Sequence, residues 1–259
     1  MAAAAGNAPH RRRLAARATG SIVVIVAVTI VEALVRLGAI NQFVVPLPSQ
    51  ILASLPRIVA EEHVLQRFWQ TLQEVIWASL LLASVGITIG VLFHRFSLLR
   101  DACESWVGAL AAAPIVLVYP LFLVIFGRSA TTIVMIGFAA GLAPMILKTI
   151  EGLAGVRRVL LNVGRSFNVT PSQQFWKILL PAALPSIFVG LRLALIFAMI
   201  NIVGVEFLIN FGGLGQLINE LAERYDLPGT YGAILFVILA SVLFFAATGR
   251  LERWMRPVR

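Results

Sequence analysis

From Leu160 to Leu195 the chain reads LLNVGRSFNVTPSQQFWKILLPAALPSIFVGLRLAL, a short mixed stretch that runs into a long apolar one. The part through Phe167 suits a short helix. Asn168 stands where the chain must turn, and asparagine tolerates the left-handed conformation better than most residues other than glycine. A second helix starts after it. Thr170 can cap that helix, and Pro171 suits its first position, where an amide proton has no helical partner to lose. Pro181 and Pro185 mark the entry into an apolar span. A helix, turn and helix carrying Arg165, Phe167 and Trp176 suits insertion into a partner's groove. Taken alone, it suits better a surface loop that rests on headgroups, with its basic residues toward anionic lipid.

Working outward, six segments are long and apolar enough to cross a hydrocarbon core, for which about 20 helical residues are needed. They run approximately from Ser21 to Ala39, Leu72 to Phe93, Trp106 to Phe126, Ser129 to Leu147, Ala182 to Val205 and Tyr231 to Thr248. Helix is required, because a lone segment in lipid must satisfy its own backbone hydrogen bonds. Pro114, Pro120 and Pro144 should kink the third and fourth spans. Of the 259 residues, 59% are hydrophobic and 13% charged, too few charges for the exterior of a soluble protein this size. The expected fold is an all-α integral membrane protein.

The basic residues set the expected orientation. Fifteen of the 21 lysines and arginines fall on one side: the N-terminal four, Arg95, Arg100, Lys148, Arg157, Arg158, Arg165, Lys177 and the C-terminal four. Arg36, Arg57, Arg67, Arg128 and Arg224 fall on the other, which assigns both termini to the cytoplasm. A net charge of +9 placed this way, with no nucleic-acid-binding motif, argues against nucleic acid and for membrane lipid. The basic N-terminus before Ile22 resembles a signal peptide, but no clear small-residue cleavage site follows, so it is read as a retained first helix.

Other features are organisational. Between the first two spans, Ile51, Leu52, Leu55, Ile58 and Val59 form a helical apolar stripe with Ser49 as a candidate cap, expected along the outer surface. The lone Cys103, in an expected cytoplasmic loop, excludes an internal disulfide and has no metal-ligand neighbours. His10, His63 and His94 are scattered, and neither Lys148 nor Lys177 completes a phosphate-binding loop, so no enzyme, metal site or bound cofactor is expected. Gly212, Gly213 and Gly215 follow a span rather than a strand and read as a tight turn.

The stretch from Asn162 to Pro185 resembles the cytoplasmic EAA loop of binding-protein-dependent ABC importer permeases, in the nitrate, sulfonate and taurine branch. Leu180, Pro181, Leu184 and Pro185 match its Leu-Pro-x-x-Leu-Pro, and Gly190, Leu191 and Arg192 its Gly-Leu-Arg. Leu47 to Ile51, Gly152 with Leu153, Glu206, and Gly213 to Gly215 are also similar. Asn162, Val163 and Gly164 depart from Glu-Ala-Ala, and Asn168 from the turn glycine. The resemblance implies a type I importer permease fold whose coupling loop, 157–180, is gripped by two cytoplasmic ATPase subunits. ATP and magnesium would lie in those subunits, an external solute-binding protein would deliver cargo, and a second permease copy would complete the path in a bacterial plasma membrane. The implied cargo is a small anion such as nitrate, a sulfonate, taurine or an aromatic carboxylate. The implied coupling residues are Asn162, Val163, Gly164, Arg165, Phe167, Asn168 and Pro171.

The expected organisation is a basic tail over 1–20, a first span and amphipathic segment over 21–71, a permease core over 72–250 and a basic tail over 251–259. Arg192, about ten residues into its span, can face an anionic solute or serve as an anchor that snorkels to the interface. Glu206 can dock the binding protein, close an outer gate or sit exposed at the interface. Met199 and Asn201 can line a path or pack helices. The alternative function is an ion-gradient-driven transporter, which needs intramembrane acids; only Glu32 lies well inside an expected span, with Arg36 one turn away to pair with it.

Overall fold

In a computed structural model, the backbone is described for residues 8–255 and side chains for 19–250. Side chains of the two basic tails, Arg11, Arg12, Arg13, Arg17, Arg253, Trp254, Arg256 and Arg259 among them, therefore lie outside the described residues, as does His10. Among the described residues twelve α-helices follow one another: α1 Ala8–Arg36, α2 Pro48–Glu61, α3 Val64–Leu81, α4 Ile87–Arg95, α5 Ser97–Ala112, α6 Tyr119–Phe126, α7 Ala130–Ala154, α8 Arg158–Ser166, α9 Pro171–Gln174, α10 Leu180–Ile209, α11 Gly213–Glu223 and α12 Leu227–Met255. A π-helical turn at Leu82–Gly86 joins α3 to α4, and another at Phe175–Leu179 joins α9 to α10.

Among the described residues five of the resulting rods are long and apolar enough to cross a membrane, or six if a bent pair is counted as one span. That pair corrects the expected third span. Trp106 to Phe126 is not one helix: α5 ends at Ala112, and the chain bends by 92° before a 3-10 turn and α6. Pro114 causes the break, since its ring and missing N–H end a helix, while Pro120 sits harmlessly in the first turn of α6. Cys103 falls within α5 and is half-buried, not in a loop. Pro144 remains inside the continuous α7.

The centre of the bundle is α7 packed lengthwise on α10. Ile133, Ile136, Met145, Ile187 and Ile202 are fully or almost fully buried there. Close approach depends on glycine: a Cβ at Gly137 would lie 2.7 Å from Ile202 Cγ1, and one at Gly141 2.7 Å from the Ala194 carbonyl. In contrast α1 leaves Ile22, Val23, Val24 and Ile25 exposed, as a lipid-facing span does. Glu32 pairs with Arg36 as expected, at 2.6 Å. Ser49 is not a cap, because α2 starts at Pro48 with Leu47 in the cap position; instead Ser49 donates from Oγ to Glu32 at 2.8 Å and ties α2 to α1.

Charges gather at the two ends. At one end Arg67 meets Glu220 at 2.6 Å and Arg224 meets Glu62 at 2.7 Å, while Arg57 pairs with Asp226, so α2, α3 and α11 are laced together. At the other end Arg95 and His94 share a cavity wall with Arg165 and Trp176.

Candidate functional site

The loop between α7 and α10 folds as a hairpin of two short helices. Asn168 has φ +48°, the left-handed turn that its side chain suits. Thr170 accepts from the Gln173 amide at 3.3 Å and its own amide donates to Gln173 Oε1 at 3.0 Å, a full capping box with Pro171 at the start of α9. Gln174 Nε2 donates to the Leu161 carbonyl at 3.0 Å and locks α8 onto the second helix.

Gly164 is placed differently from the resemblance's implication of a partner contact. It is buried inside the hairpin, where a Cβ would lie 2.5 Å from Ile178 Cδ1 and 3.3 Å from Val169 Cγ2. The glycine permits the loop's own packing. Outward instead point Val159 and Val163, with Phe167 78% and Trp176 64% exposed. Asn162, Arg165, Asn168 and Pro171 are exposed too, and Arg165 lines a cavity of about 550 Å³ between the hairpin and the end of α4. Phe175 and Trp176 meet edge to face, ring centres 5.1 Å apart, and stiffen this wall. A short amphipathic helix with large apolar side chains facing outward is a surface built to be covered. Asn168→Gly should leave transport intact and Asn168→Val should reduce it, since a β-branched residue there costs about 1–2 kcal/mol. Equal uptake by the two variants at equal membrane levels would refute the account of the turn.

At the opposite end Glu206, near the end of α10, is 0% exposed. Its Oε1 accepts from Thr71 Oγ1 at 2.7 Å and its Oε2 from the Gly215 amide at 2.8 Å. Thr71 Oγ1 also accepts from the Leu214 amide at 2.9 Å, and Gln70 Oε1 from the Gly213 amide at 3.0 Å. The first turn of α11, whose amides have no helical acceptors, is thus satisfied by side chains of α3 and α10, with an acid at the positive end of the helix dipole. Gly212 and Gly213 have φ +68° and +73°, so the expected tight turn is present. Glu206 is neither exposed nor free to meet a partner in this conformation; it is a buried clasp.

The remaining residues nominated for a path lie on α10. Met199 is buried in the core, and Asn201 Nδ2 donates to the Phe197 carbonyl of its own helix at 2.9 Å. The Arg192 guanidinium lies against Gly249 of α12. A cavity of about 640 Å³ opens elsewhere, lined by His63, Gln66, Arg67, Gln70, Gln73, Glu74, Trp77 and parts of α7 and the 211–216 turn. Placing the span start at Leu72 hid it. With α3 beginning at Val64, Glu74 lies ten residues into a span, and Gln66, Gln70, Gln73, Glu74 and Trp77 recur at helical spacing, the signal that would have found the site.

Residues 83–257 match the family described as binding-protein-dependent transport system inner membrane component. This chain belongs to that family. It is a multi-pass membrane permease subunit of an ABC importer and not itself an enzyme. A glycine betaine/carnitine/choline transport system permease protein of Bacillus subtilis is 27% identical over 76% of this chain and 86% of its own length. An aliphatic sulfonates transport permease protein of the same organism is 25% identical over 90% of this chain and 81% of its own. The MetNI methionine ABC transporter, solved in inward-facing conformations, superposes with a TM-score of 0.65 at 19% identity, over 75% of this chain and 96% of that one. The fold is that of a type I importer permease.

Proposed function

We propose that this permease uses the hairpin 157–180 to receive a cytoplasmic ATPase subunit. The outward apolar stripe of Val159, Val163, Phe167 and Trp176 carries this reading, because a span-flanking helix leaves such a face bare only where something covers it. Two copies of the chain, each on its own ATPase holding ATP and magnesium, form the path between them, and an external binding protein supplies the solute. Closure of the ATPases draws the hairpins together and switches the path between two access states. The core over 72–250 does this work, and the first span over 21–71 anchors it to the bilayer. Purified chain with its ATPase in proteoliposomes should accumulate solute only with ATP and binding protein; accumulation by the chain alone under an ion gradient would overturn the proposal.

The same reading has both termini and the hairpin in the cytoplasm of a bacterium, with membrane lipid around the spans. The half-buried Cys103 is a poor reporter of this, whereas Leu98, beside it on α5, is 84% exposed. In a Cys103→Ala background, Leu98→Cys should resist an impermeant maleimide in intact cells and react after permeabilisation; labelling of sealed cells would reverse the orientation.

The two relatives are named for different solutes, glycine betaine, carnitine and choline for one and aliphatic sulfonates for the other. An anionic cargo for this chain would need a cation on the path. Arg67 is the cavity's one arginine, and Glu220 already pairs with it.

A further inference from the structure

Glu74 is 6% exposed, lines the larger cavity, and has a buried carboxyl oxygen with no hydrogen-bond partner. Its carboxyl lies within hydrogen-bond reach of Glu206, whose two oxygens are already committed to Thr71 and Gly215. Two carboxyls in contact, in a span, are stable together only with a positive partner or a shared proton. The cations nearby are engaged: Arg67 with Glu220, Arg224 with Glu62, and Arg128 with the Asn210 carbonyl. His63, on the rim of the same cavity, is the remaining titratable group facing it. One turn along α3 from Glu74, Trp77 also lines the cavity, with a side chain that is largely exposed. An acid without a cation, an aromatic face and the amide oxygens of Gln66 and Gln73 together make a set that attracts positive charge and repels negative.

We propose that this cavity is a binding site for a small organic cation, its ammonium or amidinium group held by Glu74 against the face of Trp77. The assignment rests on the reading of this chain as a solute path, and it replaces the anion that the sequence resemblance implied with a cation. A proton on the carboxyl pair would relieve the same repulsion, and the test separates the two sources.

The full chain in lipid nanodiscs is titrated by calorimetry at neutral pH, without ATP or partner proteins, with benzamidine and with benzoate, a cation and an anion of the same shape. Benzamidine should bind saturably and benzoate should not. Glu74→Gln should weaken benzamidine at least tenfold, and Trp77→Leu, a change at an exposed position that leaves the fold intact, several-fold. Benzoate binding as well as benzamidine, no saturable binding of benzamidine, or binding indifferent to Trp77→Leu would each overturn the site. If Glu74→Gln changes only the pH dependence of the thermal midpoint while benzamidine fails to saturate, the pair holds a proton and the cation site is refuted. Because binding is read without ATP, saturable benzamidine binding in a chain whose reconstituted complex shows no ATP-driven uptake would reject the ATPase-docking proposal and leave the site standing.

Discussion

Gly215→Val should sharply lower the thermal midpoint of the permease in a detergent extract. A Cβ at this position would lie 2.6 Å from Glu206 Cβ and 2.7 Å from the Phe207 amide nitrogen, and also against the Val203 carbonyl, so it meets two backbone groups of α10 that cannot swing aside. Relief requires lifting α11 from α10. That movement breaks the hydrogen bond that the Gly215 amide donates to Glu206 and strands a buried carboxyl, at about 1–3 kcal/mol, on top of about 1–3 kcal/mol for overpacking. At roughly 2–4 °C per kcal/mol for a chain of this length, the thermal midpoint should fall by on the order of 10 °C. Gly108, where a Cβ meets nothing within 4 Å, provides the control: Gly108→Val should change the midpoint little. Equal midpoints for the two variants would show that the α10–α11 clasp does not hold this end of the bundle.

Gly164→Arg should abolish retention of the ATPase subunit while the spans stay folded. The new side chain enters a space already filled by Ile178 and Val169, so α8 is pried from the hairpin and its outward stripe loses its fixed direction. Gly164→Ala should be milder, because the obstructing atom is the end of a flexible isoleucine. Val163→Glu places its charge on the exposed side of α8 and keeps the hairpin packed, yet should also cut retention about tenfold, an effect of about 1.4 kcal/mol. The pair separates packing from docking. Were the loop merely lying on headgroups, Val163→Glu would leave co-purified ATPase at the parent level, as judged by band ratio and by ATP-driven uptake, and the docking face would have to be sought elsewhere.

How much was legible follows the range of the forces involved. Local chemistry in the loop was read correctly: the turn at Asn168, the cap at Thr170 and Pro171 at the helix start depend on residues three or four apart, and all three are present. The spans were legible because lipid demands long apolar helices, although α3 starts eight residues before Leu72, since a polar stripe toward a cavity lowers hydropathy without ending a helix. Ser49 misled for a similar reason, as its hydroxyl serves Glu32, seventeen residues away.

By itself the sequence determined that this is a helical membrane protein with about six spans, a helical hairpin before the fifth, and charges sorted to two ends. Those properties come from composition, period and short-range capping. Only the tertiary structure decided that Gly164 faces inward, that Glu206 is a clasp for α11 and that Glu74 lines a cavity. For Gly164 the deciding partner is Ile178, across the turn on the second helix, and for Glu206 it is Thr71, more than a hundred residues away; spacing along one helix marks a face but does not say which partner covers it.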